Sequence, residues 1–204
     1  METVCAPPPT KGRPREFDAD LALAAALRVF WKRGYEGASM AELTAEMGLT
    51  KPSLYGAFGN KESLFKKALD LYEKEKMAYM RTALDAETSR GVAERLLQGA
   101  LEMQQSTCDP KGCLGVISTV ACSQEAESIR EAVIERQAGS KQALIDRFER
   151  AKTEGDLPEH IDPCALARYL TAVMQGLAVQ AGAGTGCPDL RKIVDTTLAV
   201  WPGR

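Results

Sequence analysis

Hydroxyl, amine and phenol groups that can donate hydrogen bonds occur at close spacing between Ser39 and Lys61. They fall in two short segments. In the first segment, Ser39 precedes Glu42 by three residues, which is the spacing of a capping box and predicts a helix start. In the second, Thr50 precedes Pro52, a combination typical of the N-cap and first turn of a helix. The pattern therefore predicts two short helices with several of these donors near their N-termini.

A tight turn is predicted between the two helices. Gly48 follows the first helix where a C-terminal glycine is common, and Leu49 completes the turn. On the second helix, Leu54 and Phe58 face inward at helical spacing. The outward face carries small and polar residues, namely Lys51, Ser53, Tyr55 and Gly56. A short helix, a turn with glycine and a helix with an exposed polar face is the form that enters a DNA major groove.

The order of these residues resembles the DNA-binding domain of the tetracycline-repressor (TetR) family of bacterial regulators. The shared pattern begins at Gly34-Tyr35 and Ser39, continues through residues 48–58 and ends with residues 61–65, KESLF. It departs from many members at Gly56-Ala57, where they carry a His or bulky polar residue directly after the tyrosine. The resemblance covers roughly residues 16–67 and implies a helix-turn-helix head.

A basic arm precedes the first predicted helix. Lys11, Arg13 and Arg15 are interleaved with Gly12 and Pro14, and arms of this kind reach phosphates or a narrow minor groove. A solvated tail is the alternative, and the adjacent helix-turn-helix favours the DNA-binding interpretation. Helix N-termini also attract phosphates. The expected DNA-binding residues are Arg13, Arg15, Ser39, Thr50, Lys51, Pro52, Ser53, Tyr55 and Lys61.

The composition is that of an ordinary globular protein. The 204 residues are 45% hydrophobic and 26% charged, and the net charge is −2. This balance is uneven, since residues 1–67 have a net charge of +2 and residues 68–204 one of −4. No apolar run approaches the length that spans a bilayer, and the first ten residues lack an apolar signal core. We therefore expect a cytoplasmic protein.

Groups for catalysis or metal binding are sparse. His160 is the single histidine, and the six cysteines include no Cys-x-x-Cys pair. Paired carboxylates in an apolar setting and a glycine-rich phosphate loop are also missing from the sequence. We expect no enzyme activity, no metal site and no cofactor.

The rest of the chain predicts helices only. Their expected ranges are residues 18–34, 60–86, 92–107, 113–122, 125–154, 163–181 and 188–201, in addition to the two short helices. The expected fold is all-α, with a three-helix head over residues 16–67 after a flexible basic arm over residues 1–15. Residues 68–204 would form a larger helical body, to which the resemblance assigns ligand binding and dimerisation.

The last two predicted helices carry apolar residues at i, i+3 and i+4 spacing. This stripe fits either a monomer core or the four-helix dimer interface that the resemblance implies. A two-fold dimer reads a palindrome through consecutive major grooves, which favours the dimer. The expected interface residues are Leu166, Tyr169, Leu170, Val173, Leu177, Ile193, Val194, Leu198 and Trp201.

The resemblance also implies an apolar ligand cavity in the body. Its candidate residues, each of which could equally be plain core, are Met103, Ile117, Val120, Phe148, Met174 and Gln175. The expected function is that of a ligand-responsive transcriptional regulator, and we expect it to be a repressor. It would bind double-stranded operator DNA as a homodimer and be released by a small-molecule inducer of unknown identity.

The cysteines leave a second function open. Cys108, Cys113 and Cys122 cluster around one loop and one apolar helix. As thiolates they could sense an oxidant, an electrophile or a soft metal. The plainer interpretation, which we favour, is that Cys113 and Cys122 are small apolar core residues. A helical enzyme or interaction module without a DNA role is the third hypothesis.

Overall fold

Helices account for all regular structure in the described part of the chain. The computed structural model describes residues 17–120, 123 and 126–203. The helices are α1 (Ala19–Gly37), α2 (Met40–Glu46), α3 (Lys51–Phe58), α4 (Lys61–Lys76), α5 (Ala78–Ala83), α6 (Ser89–Met103), α7 (Leu114–Val120), α8 (Glu127–Thr153), α9 (Pro163–Gly182) and α10 (Cys187–Ala199). No strand occurs in these ranges. The all-α prediction is confirmed.

Side-chain caps fix the starts of the helices in the first third of the chain. The Ser39 hydroxyl accepts a hydrogen bond from the Glu42 amide at 3.0 Å, and the Asn60 carbonyl oxygen accepts one from the Ser63 amide at 2.8 Å. Thr50 caps α3 in the same way. Each bond satisfies an amide that the helix itself leaves unpaired. The helix starts predicted at these caps are confirmed.

Helix α1 bends at Gly34 and continues for one more turn. The backbone there has φ 71° and ψ 176°, a conformation that L side chains rarely adopt. A Cβ at this position would also lie 3.2 Å from Cγ2 of Ile117. Gly34 therefore lets α1 pass close to α7.

The prediction of one long helix over residues 60–86 is wrong, because the helix is interrupted at Met77 and divides into α4 and α5. The backbone of Met77 has φ −104° and ψ 7°, outside the helical region. Beyond the break, the Tyr79 ring lies directly against the backbone of α6, where a Cβ at Gly99 would overlap it. No proline or glycine marks the break, so periodicity alone extends the helix through it.

Two apolar clusters form the interior. The first joins α1–α4 and contains the fully buried rings of Phe30, Trp31 and Phe65; it continues into Leu114 of α7 and Ile129 of α8. The second lies among α6, α8, α9 and α10. We call residues 17–67 the head and the described residues from 68 onward the body. Because the head's cluster includes side chains of the body, the two parts share a packed boundary. None of the described helices is long and apolar enough to cross a membrane.

Candidate DNA-binding surface and head–body groove

Helix α3 presents a polar face to solvent and an apolar face to the head. Leu54 is fully buried and Phe58 nearly so, whereas 49% of Tyr55 is exposed. The exposed side chains on the first turns are those of Lys51, Pro52 and Ser53. The hydroxyls of Thr50 and Ser53 lie 2.9 Å apart and hydrogen-bond each other. An amine, two oriented hydroxyls and a phenol thus occupy one solvent-facing surface.

The neighbouring helix α2 is anchored to the core and to α1. Leu43 is fully buried, and the Arg33 guanidinium of α1 pairs with the Glu42 carboxylate at 3.2 Å. Gly48 has φ 64° in the turn between α2 and α3, which confirms its predicted role as the C-terminal glycine. Ser39 is exposed at the start of α2. Its oxygen accepts the capping bond, so its hydroxyl proton is free to be donated to a phosphate.

Lys61 begins α4 and lies over an aromatic ring. Its Nζ is 4.6 Å from the centroid of the Tyr35 ring, within the range of a cation–π contact. Burial lowers the pKa of the Lys61 amine, and the nearby Glu36 carboxylate acts in the opposite direction. Burial likewise raises the pKa of Tyr35, with a smaller effect from Glu62. The ring positions the amine at the helix N-terminus.

Arg13 and Arg15 of the predicted arm lie outside the described residues. The remaining predicted DNA-binding residues lie on α3 or at the N-termini of α2, α3 and α4. The structure therefore places them on the three helix starts and the exposed face that a helix-turn-helix would turn towards DNA.

The apolar stripe of α9 and α10 divides into two groups. Five of its members are buried within the protomer: Leu166, Leu170, Leu177, Val194 and Trp201. The side chains of these residues pack in the protomer's own core, and their contact with a partner chain stays a prediction. Tyr169 is 45% exposed, and Val173, Ile193 and Leu198 are partly exposed.

The predicted interface residues omitted two exposed valines. Val179 is 56% exposed and Val200 67% exposed. Two small residues of α9 lie at helical spacing from Val179: Ala172 is exposed, and a Cβ at Gly176 would meet no atom within 4 Å. Val179 lies seven residues after Ala172, which places both on one face of α9. The helical spacing along that face was the signal that could have identified Val179 from the sequence.

The candidate pocket residues that the structure describes are divided between the two apolar clusters and the surface. Phe148 is fully buried in the body cluster, with its ring 5.7 Å from that of Trp201. Met103 packs against the head's cluster and Met174 against the body's, while Gln175 is exposed. The side chain of Val120 lies outside the described residues. Helical spacing shows that a residue faces inward but not which cluster it joins, and the assignment of these residues to a ligand cavity stays a prediction.

A groove of about 850 Å³ lies between head and body. Of the six candidate pocket residues, Ile117 is the one that lines it. The head wall of this groove comes from α1 and α2, and its body wall from α7, α9 and the loop of residues 104–113. We call it the head–body groove. Its lining residues are Arg28, Val29, Trp31, Lys32, Glu42, Glu46, residues 108–113, Val116, Ile117, Ala178, Val179 and Gly182. Residues 108–112 lie between two predicted helices, but the sequence carried no signal for the groove.

Hydrogen bonds hold the 104–113 loop in one shape. The Gly112 amide donates to the Gln104 side chain at 2.8 Å, and the Lys111 amine donates to the carbonyls of Gln104 and Ser106, both at 2.6 Å. Asp109 pairs with Lys76 at 2.7 Å. Burial alone would raise the pKa of Asp109, but the hydrogen bonds from Lys76 and Ser106 outweigh it and lower the pKa. The body wall of the groove is thus preorganised.

Two thiols belong to the same groove. Cys108 is exposed and Cys113 is half-buried. The Tyr72 hydroxyl donates a hydrogen bond to the Cys113 sulfur at 3.4 Å, and burial, followed by the influence of Cys113, raises the pKa of Tyr72. Cys5 and Cys122 lie outside the described residues. Among the residues that the structure describes, no group of three or more His, Cys, Asp or Glu could hold a metal ion.

Comparison with known proteins agrees with this architecture. The profile described as "Bacterial regulatory proteins, tetR family" matches residues 22–68, and that described as "Tetracyclin repressor-like, C-terminal domain" matches residues 93–192. The HTH-type transcriptional repressor ComR of Escherichia coli K12 is 31% identical over 201 residues, which are 95% of this chain and 93% of ComR. The uncharacterized HTH-type transcriptional regulator YezE of Bacillus subtilis 168 is 33% identical over 193 residues, 93% of this chain and 98% of YezE.

A solved structure extends the match to three dimensions. A cysteine mutant of the TetR family regulator CifR, complexed with 26 bp double-strand operator DNA, has a TM-score of 0.87 and 39% sequence identity. The alignment covers 93% of this chain and all of the CifR chain. Both family profiles and relatives of near-equal length thus agree with the helix-turn-helix motif and the all-helical body. The chain belongs to the TetR family of bacterial regulatory proteins, and it is a DNA-binding transcriptional regulator rather than an enzyme.

Proposed function

We propose that this regulator represses transcription by binding palindromic operator DNA as a homodimer and is released when a small-molecule inducer binds. The observation that carries the proposal is the polar face of α3, with Tyr55 and Lys51 exposed above the buried Leu54. The similarity to a CifR structure that contains operator DNA supports the same role for α3. The regulator would act in the cytoplasm, where its operator lies.

The proposed DNA contacts are of two kinds. Lys51, Ser53 and Tyr55 on α3 would reach base edges in the major groove. Ser39, Thr50 and Lys61, at the N-termini of their helices, would bind phosphates, together with Arg13 and Arg15 of the arm. Pro52 would pack against the backbone. This division predicts that the first group sets sequence preference and the second sets overall affinity.

Dimerisation is proposed through the exposed face of α9 and α10. Tyr169, Val173 and Val179 leave apolar surface on α9 in the single chain, and the open position at Gly176 permits a second helix to approach closely. Ile193 and Leu198 of α10 would complete the face. The proposed division of the chain is an arm (1–15), a DNA-binding head (16–67) and a body (68–204).

A gel shift on the DNA upstream of the protein's own gene tests the proposal. The chain should shift a palindromic fragment at a protein concentration that leaves a scrambled fragment free, and the logarithm of affinity should fall linearly with that of salt concentration. The control variant is Lys141→Ala, an exposed lysine of α8 outside these surfaces, which should bind like the parent. Equal affinity for palindrome and scrambled DNA would contradict the proposal.

A further inference from the structure

The head–body groove is built so that a bound molecule would touch both parts of the chain. Arg28, Trp31 and Lys32 of α1 form the head wall, with Glu42 and Glu46 of α2 beside them. The opposite wall belongs to α7, α9 and the 104–113 loop. The head–body spacing therefore sets the width of the groove.

The charges in the groove are not balanced once the ion pairs of the described residues are counted. Glu42 is paired with Arg33 at 3.2 Å, and Asp109 with Lys76 at 2.7 Å. Both partners lie outside the groove lining. The lining itself has three cations, Arg28, Lys32 and Lys111, and three acids, Glu42, Glu46 and Asp109, and Arg28 also lies close enough to Asp109 to lower the pKa of that carboxyl. With the paired Arg33 and Lys76 included, the cations outnumber the acids by two. A site with this surplus attracts an anionic group.

The floor of the groove is apolar. Val116 and Ile117 of α7 present half-buried apolar surface to it, and the buried Val29, Trp31 and Ala178 lie beneath. The volume of about 850 Å³ lies within the range of small-molecule sites, which are usually apolar with a few polar groups that fix orientation.

We propose that the head–body groove is an effector site for an anionic amphiphile, a molecule with an apolar ring system or chain and an acidic group. The apolar part would lie on the half-buried Val116 and Ile117, and the acidic group would face Arg28 and Lys32. The regulatory half of this inference rests on the proposed operator binding; the binding site itself does not.

The link to DNA release follows from the position of the site. A ligand that touches both walls binds best at one head–body spacing, and it shifts the population towards that spacing. The hydrogen bond from the Trp31 indole to the Gly112 carbonyl, at 3.3 Å, joins the two walls in the described arrangement. A ligand that favours a wider groove would oppose this contact and move α2 and α3 relative to the body. In a dimer the same motion would change the distance between the two recognition helices.

Two matched fluorescent probes test the site on the full chain without DNA. Anilinonaphthalene sulfonate carries the anion, and phenylnaphthylamine has the same rings without it. The double variant Arg28→Glu/Lys32→Glu should bind the sulfonate about tenfold more weakly and leave the affinity for the neutral probe within about twofold. Both residues are exposed, so the fold should persist. Lys141→Glu, an exposed charge reversal outside the groove, is the control and should leave both affinities unchanged.

The two tryptophans of the chain report where the probe binds. In Trp201→Phe the remaining tryptophan is Trp31 in the groove, and in Trp31→Phe it is Trp201 in the body cluster. Bound sulfonate should quench the fluorescence of Trp31 more strongly than that of Trp201. Stronger quenching of Trp201, or equal loss of both probes in the double variant, would overturn the proposed site.

A gel shift run in parallel separates this inference from the proposed function. Sulfonate at saturation should release the parent from its operator but not the double variant. Operator binding without probe binding would overturn the site and leave the repressor proposal standing. Probe binding in the groove by a chain that binds no operator would overturn the repressor proposal and leave the binding site standing. Probe binding with no effect on the operator complex would overturn the regulatory half of the inference.

Discussion

The indole nitrogen of Trp31 donates a hydrogen bond to the carbonyl oxygen of Gly112 at 3.3 Å, and so joins the head to the body across 81 residues of sequence. The same carbonyl accepts a second hydrogen bond from the side-chain Nε2 of Gln104 at 3.3 Å. Edge-to-face packing of Trp31 on Tyr72, with ring centroids 4.8 Å apart, fixes the indole further. The head is therefore held to the body by directional contacts as well as by apolar packing.

Replacing Trp31 by Phe should weaken this junction while leaving most of the ring in place. We expect the free energy of unfolding to fall by about 0.5–1.5 kcal/mol for the hydrogen bond, with a further loss from the smaller ring. Gln104 still satisfies the Gly112 carbonyl, so no buried acceptor is left unpaired. Urea denaturation measures the change. Trp201→Phe, which removes the single indole hydrogen bond to Ser89 within the body, is the matched comparison and should lower the free energy of unfolding by a similar amount.

Truncation of the α3 surface should weaken operator binding without unfolding the head. Tyr55→Ala and Lys51→Ala should each lose on the order of 1–3 kcal/mol of binding free energy, measured by gel shift. Circular dichroism should be unchanged, because both side chains are exposed. Leu54→Ala is the contrasting variant: it removes a fully buried side chain and should cost about 2–5 kcal/mol of stability. Normal operator affinity in the Tyr55 and Lys51 variants would refute the assignment of α3.

Lys61 should contribute affinity without sequence preference. Lys61→Ala should weaken binding to all DNA fragments about equally and reduce the slope of log affinity against log salt by about one unit, since one phosphate contact is lost. Lys61→Arg keeps the charge and can stack on the Tyr35 ring, so it should retain most of the slope. A Lys61→Ala protein that discriminates less between operator and scrambled DNA would show that the amine contacts a base instead.

A charge at the centre of the α9 face should separate the dimer. Val173 is only partly exposed in the protomer, and a glutamate there would be desolvated without a partner on both sides of the two-fold axis. Size-exclusion chromatography of Val173→Glu should show monomers or aggregates, with reduced operator binding. Leu170→Glu, at a fully buried position, should instead lower the stability of the protomer itself. A Val173→Glu dimer with normal DNA binding would place the interface elsewhere.

The thiol-sensor alternative predicts a chemical response that we do not expect. Cys113→Ala should cost modest stability, about 1–3 kcal/mol, because the buried Tyr72 hydroxyl loses its sulfur acceptor. The exposed Cys108 should be replaceable by Ser without loss. A triple variant of Cys108, Cys113 and Cys122, challenged in a gel shift with peroxide, a quinone or Cu(I), should behave like the parent. Loss of a response that the parent shows would favour the thiol sensor over a small-molecule site.

Local chemistry is the part of this protein that the sequence alone determines. The capping residues Ser39, Thr50 and Asn60 and the turn glycine Gly48 satisfy backbone groups within a few residues of themselves, so their spacing predicts the helix-turn-helix before any packing is known. The exposed face of α3 follows from the same local periodicity, because Leu54 and Phe58 must turn inward.

Only the tertiary structure decided which elements meet. The break at Met77, the division of the α9 stripe into core residues such as Leu170 and exposed ones such as Val173, and the groove between α1 and α9 all depend on contacts between residues far apart in sequence. Helical periodicity shows that a side chain is apolar on one face, but it does not distinguish burial in the same chain from burial against a partner. That distinction depends on which surfaces the neighbouring helices have already covered.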